Sequence, residues 1–95
     1  MKTLKELQAH VAQVDQLPEA DTGYFLKLIE EVGELSEAIR HGKSGQPEFD
    51  TLKGSIAEEL VDVFYYTLAL ANQYGVNLER SFELKEAHNR IRYQR

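Results

Sequence analysis

The sequence predicts an all-α, four-helix bundle-like fold. Apolar residues recur at spacings of three and four through four long segments. Glycine, proline and cap-forming residues separate those segments, and none of them alternates with the two-residue period of a half-buried strand. The one stretch that invites a strand reading, Val61 and Val63 with the aromatics nearby, lies inside a run too long for a typical strand and keeps the helical spacing.

The first helix is expected from about Thr3 to Leu17, with Leu4, Leu7, Val11 and Val14 on one face and Pro18 as its stop. The second opens behind a cap at Asp21 or Thr22 and runs to about His41, with an apolar stripe of Leu28, Val32, Leu35 and Ile39. Gly42 ends it. Residues 42–54, with Gly45 and Pro47 among polar neighbours, read as a loop and the most mobile part of the chain. The third helix spans about Ser55 to Tyr74. Ile56, Leu60, Val63, Phe64, Thr67, Leu68 and Ala71 cover so much of its circumference that it should be the most buried of the four. Gly75 closes it, and Asn77 caps a fourth helix that runs to about Tyr93.

With 95 residues, the chain has the length of one domain, residues 1–95. A domain of this size buries only about 60% of its unfolded surface, and oligomerisation is a common supplement. A hydrophobic content of 42% and a charged content of 28% are globular values. The net charge of −5 argues against a nucleic-acid backbone as partner. No run approaches the roughly 18 apolar residues that span a bilayer, the first ten residues contain no apolar signal core, and cysteine is absent. The expectation is a cytoplasmic protein with no membrane or nucleic-acid partner and no thiolate metal site.

Charge is unevenly placed. Glu30, Glu31, Glu34 and Glu37 crowd the second helix, and Glu58, Glu59 and Asp62 the third. Glu31 and Glu34 are three apart, neighbours on one face beside the apolar stripe. Glu59 and Asp62 repeat that spacing, with Tyr66 one turn beyond. If the two helices pack antiparallel, the pairs face each other and form a pocket of four carboxylates. Repulsion among buried like charges then requires a cation, and oxygen-only ligation suits Mg²⁺ or Mn²⁺. Spacing alone leaves two solvated acidic faces as an equal reading. Gly33, which costs a helix about 1 kcal/mol relative to Ala, is consistent with a close helix crossing. On the fourth helix Lys85, Asn89 and Arg92 share a face fit for phosphate oxygens or simply for water. His10, His41 and His88 lack ligand spacing and read as surface residues. Tyr24 and Phe25 read as core, with base stacking as the alternative.

Glu30-Glu31-Val32-Gly33-Glu34-Leu35, followed by Glu58-Glu59-Leu60-Val61-Asp62-Val63, resembles the MazG-type nucleoside triphosphate pyrophosphohydrolases, whose pattern is E-E-x-x-E, a loop, then E-x-x-D. The tail, Lys85-x-x-x-Asn89-Arg90-x-Arg92-Tyr93, is similar to the ends of MazG-like and dCTP pyrophosphatase sequences, so the likeness runs from about Tyr24 to Tyr93. The resemblance implies a MazG-type all-α fold completed as a homodimer or homotetramer. It also implies Mg²⁺-dependent cleavage of a nucleoside triphosphate to monophosphate and pyrophosphate. Glu31, Glu34, Glu59 and Asp62 match the family's metal ligands, and Tyr66, Lys85, Asn89 and Arg92 match positions of phosphate or substrate contact. Glu30 or Glu34 is the expected proton acceptor for the attacking water. A nucleotide- or metal-binding relative without turnover, and a plain helical interaction module, are the competing readings.

Overall fold

The computed structural model describes residues 1–94. Four α-helices follow in order: α1 (Leu4–Val14), α2 (Gly23–Arg40), α3 (Ile56–Gln73) and α4 (Leu78–Tyr93), with a 3-10 turn at Phe49–Thr51 between α2 and α3. No strand occurs among the described residues.

Local chemistry sets the boundaries. Thr3 caps α1 with a full capping box: its hydroxyl accepts from the Glu6 amide at 3.1 Å, and the Glu6 carboxylate accepts from the Thr3 amide at 2.9 Å. The helix ends at Val14, earlier than the expected Leu17, because Asp15 turns extended and gives its carboxylate to the Tyr65 hydroxyl. Thr22 occupies the N-cap of α2 without a side-chain bond. The Asp21 carboxylate accepts from the Gly23 amide instead, at 2.7 Å. Asn77 caps α4 as expected, accepting from the Arg80 amide, and Ser55, at the expected start of the third helix, caps α3 by accepting from the Glu58 amide.

A small core forms where α1 and α2 cross the C-terminal half of α3. Val11, Tyr24, Leu68 and Ala69 are buried there, with Leu4, Leu7, Tyr65, Tyr66, Leu70 and Leu78 around them. Gln8 bolts α1 to the α3–α4 corner. Its amide donates to Asn72 Oδ1 (3.0 Å) and the Val76 carbonyl (2.7 Å), and its carbonyl accepts from the Leu78 amide (2.9 Å). α4 packs chiefly on α1, whereas α2 and α3 run together along most of their length.

α3 carries more buried residues than any other helix, as expected, but in α2 and α3 the residues that are covered differ from the expected ones. The buried line of α2 is Tyr24, Glu31 and Ala38, two residues on either side of a carboxylate at seven-residue steps, while Val32 and Ile39 of the expected stripe face outward. In α3 the buried apolar residues, Leu68, Ala69 and Ala71, lie in the C-terminal half, while Leu60, Val61 and Phe64 of the N-terminal half are exposed. Aliphatic residues thus face away from the chain where acids face in. The radius of gyration, 15.4 Å, exceeds the roughly 12 Å of a compact domain of this length.

Candidate active site

The antiparallel α2–α3 seam brings Tyr24 beside Ala69 at one end and Ala38 beside Glu58 at the other. Between those ends the acids meet. Carboxylate oxygens of Glu31, Glu59 and Asp62 lie within 4.8 Å of one another, and oxygens of Glu30, Glu31 and Glu34 form a second such group, with Glu31 common to both. The two facing pairs expected from the spacing are therefore brought together.

These carboxylates occupy core positions. Glu31 is 6% exposed and Glu59 9%, and Oε2 of each is buried without a hydrogen-bond partner. Asp62 is half-buried, while Glu30 and Glu34 are open to solvent. The basic residue nearest Glu31 is Lys27, whose Nζ sits 3.3 Å from Glu30 and 3.6 Å from Glu31. One ammonium does not neutralise the group. Burial first, then the hydrogen bond and negative charge of Glu34, pushes the Glu31 carboxyl above the usual range, against Lys27. Burial followed by the charges of Glu34 and Asp62 raises Glu59. Asp62 is raised by burial and by Glu58 and Glu34, opposed by Lys27 and Lys53. Buried carboxylates with orphan oxygens are expensive unless something charged completes them. An all-oxygen donor set of this size fits a hard divalent cation, with Glu31, Glu59 and Asp62 converging and Glu34 on the rim.

The remaining residues singled out from sequence are distributed as follows. Tyr66 is half-buried one turn from Asp62, edge-on to Tyr65 with ring centroids 5.3 Å apart. Lys85, Asn89 and Arg92 lie on α4, and none lines the carboxylate cleft of its own chain. A side chain at Gly33 would meet nothing within 4 Å, so no helix crosses this glycine within the chain. The cleft, about 630 Å³, opens from Glu34, Glu59 and Asp62 toward the α2–α3 loop, where His41, Lys43 and Lys53 line it. His41 reads from the sequence as a surface residue, and nothing in the spacing singles out Lys43 or Lys53. The signal available was their position: they sit in the connection between the two acidic motifs, which must close over the end of the seam.

An all-helical protein with a buried carboxylate cluster between two antiparallel helices is the class that fold and site define. The sequence profile of the MazG nucleotide pyrophosphohydrolase domain matches residues 20–92, and the chain belongs to that family. It is similar to iMazG from Vibrio DAT 722 in crystal structures of two tagged forms. The N-tagged form is 62% identical with a TM-score of 0.90, over 99% of this chain and 100% of that one. The C-tagged form is 63% identical with a TM-score of 0.89, over 94% and 99%. It is also 34% identical to the uncharacterised protein YpjD of Bacillus subtilis strain 168, over 98% of this chain and 83% of that protein.

Proposed function

We propose that this protein hydrolyses nucleoside triphosphates, (deoxy)ribose forms included, to nucleoside monophosphate and pyrophosphate, with Mg²⁺ or Mn²⁺ as cofactor. The observation that carries the reading is the pair of buried, unpartnered carboxylate oxygens on Glu31 and Glu59, gathered with Asp62 in a cleft that reaches solvent. Lys27 offsets the burial of Glu31 only in part, and neither orphan oxygen has a hydrogen-bond partner, so the site favours a cation and, through it, a polyanion. Membership of the MazG family supports the same substrate class.

In this reading Glu31, Glu34, Glu59 and Asp62 hold the metal, which when bound neutralises phosphate charge and acidifies water. Water adds to one phosphorus of the α–β bridge, and the bridging oxygen leaves with the other phosphoryl group. Glu34, exposed at the mouth of the cleft, takes the proton from water; Glu30, held by Lys27, is the other exposed carboxylate in reach of the cluster. Tyr66 borders the site on the nucleoside side. The outward-facing Phe25, Ile29 and Val32 of α2 and Leu60, Val61 and Phe64 of α3 form the kind of face that a second copy covers. We therefore assign a homodimer or homotetramer, in which Lys85, Asn89 and Arg92 serve as further phosphate contacts. A nucleotide pool in the cytoplasm is the setting that matches this substrate. The test is a panel of nucleoside triphosphates assayed for pyrophosphate release with Mg²⁺. Turnover at the wild-type rate by Glu59→Gln and Asp62→Asn would remove the assignment.

A further inference from the structure

The loop end of the cleft is built, although most of the loop is exposed. Gly42, at φ +65°, turns the chain out of α2, and the Lys43 amide then donates back to the Ala38 carbonyl at 3.0 Å. The next residue, Ser44, accepts from the Ile56 amide at 2.8 Å, so the start of the loop is stitched to the start of α3. On the other strand of the loop, Gly54 has φ +79° and donates to Glu58 Oε1 at 2.7 Å. A left-handed glycine flanks each lysine, and hydrogen bonds to α2 and α3 fix the backbone beside it. The result is two lysines, Lys43 and Lys53, that line the cleft together with Glu59, the residue that carries an orphan oxygen.

Neither lysine forms an ion pair within 4 Å among the described residues, despite five carboxylates in the walls. Of those acids, Glu37 is taken by Arg40 at 3.5 Å and Glu58 by the Gly54 amide. The field of Lys53 nonetheless reaches the cluster, where it opposes the upward shift of Asp62. The opposite side of the cluster is different in kind: along α3 it runs to Tyr66 and the apolar core around Tyr24. That side holds one ammonium, Lys27, already paired with Glu30 at 3.3 Å and Glu31 at 3.6 Å, so a phosphate chain crossing the carboxylates meets lysines without a carboxylate partner in the loop direction.

We infer that Lys53, together with Lys43, binds the distal phosphates of the substrate and hence the departing pyrophosphate, orienting the nucleoside away from the loop. The inference rests on the triphosphate reading of the site and adds its polarity: β and γ phosphates toward the loop, nucleoside toward Tyr66.

The test measures equilibrium binding of inorganic pyrophosphate and of a nucleoside monophosphate to the full chain in Mn²⁺, with Mn²⁺ affinity measured separately. Lys53→Ala is expected to weaken pyrophosphate binding about tenfold, and the Lys43→Ala/Lys53→Ala pair more than that, with a raised KM for the triphosphate. Monophosphate affinity should stay within about twofold and Mn²⁺ affinity should not fall, because neither lysine touches the ligands. Lys53→Arg should retain most of the pyrophosphate affinity, and far-ultraviolet circular dichroism should show the helices of every variant intact. Unchanged pyrophosphate binding in the double variant would overturn the inference, as would equal losses for monophosphate and pyrophosphate. If those results accompany normal wild-type turnover, only the polarity is wrong. If the wild-type chain neither binds Mn²⁺ nor releases pyrophosphate from triphosphates, the function reading falls and this inference with it.

Discussion

Gln8 and Glu31 are buried to the same degree, at 8% and 6% exposure, yet their surroundings are opposite. At the α1–α3–α4 corner, both polar ends of the Gln8 side chain have partners, and Asn72 returns a bond from its own amide to the Gln8 carbonyl at 2.9 Å. At the α2–α3 seam, Glu31 and Glu59 each keep an orphan oxygen, and the charges around them are mostly of the same sign. The first region is a polar joint finished by the chain itself. The second is unfinished, and its polarity is an opening for a ligand. Burial therefore does not separate structural from functional polar groups here; satisfaction of their hydrogen bonds does.

The contrast breaks most visibly under Glu59→Gln. Loss of one carboxylate from the cluster should lower triphosphate turnover by about 10²-fold or more, while metal-free stability holds or rises, since an unpaired buried charge has been removed. Steady-state kinetics and a thermal melt in chelator check the two halves. Gln8→Ala should do the reverse. It strands the Leu78 amide, the Val76 carbonyl and Asn72 Oδ1, and should cost about 2–4 kcal/mol in denaturant unfolding. The residual folded protein should keep its metal affinity.

The pH dependence distinguishes the regions further. Glu31, Glu59 and Asp62 all have folded-state pKa values above their ordinary ones, with burial as the leading cause in each. In the window between the ordinary carboxylate range and those raised values, the folded metal-free chain binds more protons than the unfolded chain. Their contribution to stability is therefore full below the ordinary range and is lost as pH rises through the raised values. Metal-free protein should melt at a higher temperature in mild acid than at neutral pH, until general acid denaturation intervenes. Saturating Mn²⁺ should reverse the trend, adding about 2.7 kcal/mol at a hundredfold excess over its Kd at neutral pH. A melt series across pH with and without Mn²⁺ reads this directly, and a flat metal-free profile would contradict the buried cluster.

Sequence reasoning reached the helices and the acids for the same reason: both depend on local spacing. Thr3, Ser55 and Asn77 cap where their chemistry says, and residues three apart on a helix are neighbours whatever surrounds them. What lay beyond it was address. The stripe of Val32 and Ile39 is apolar, but periodicity carries no information about which partner covers it, and within the chain it faces outward. Glu31 was read as flanking that stripe and instead sits at the centre of the buried line. Lys85, Asn89 and Arg92 share a helix face, yet the α3–α4 corner built around Gln8 sends that helix onto α1. Lys43 and Lys53 are ten residues apart in a loop, and a bond that spacing does not reveal, from the Ile56 amide to the Ser44 carbonyl, joins their stretches.

The smallest effect concerns Gly33, the position where the outward face and the acidic motif meet. It lies in the interior of α2 with helical backbone, and a methyl group there would touch nothing within 4 Å. In an isolated chain Gly33→Ala should stabilise by about 0.5–1 kcal/mol, since it reduces the freedom of the unfolded chain and introduces no clash. In an assembly that packs a second copy across Val32 and Phe25, the same methyl group would enter an interface and cost stability instead. Denaturant unfolding at two protein concentrations, read beside light scattering, separates these outcomes. A concentration-independent gain means the glycine is free; a loss at high concentration that shrinks on dilution means that the aliphatic face of α2 is covered, and by another copy of the chain.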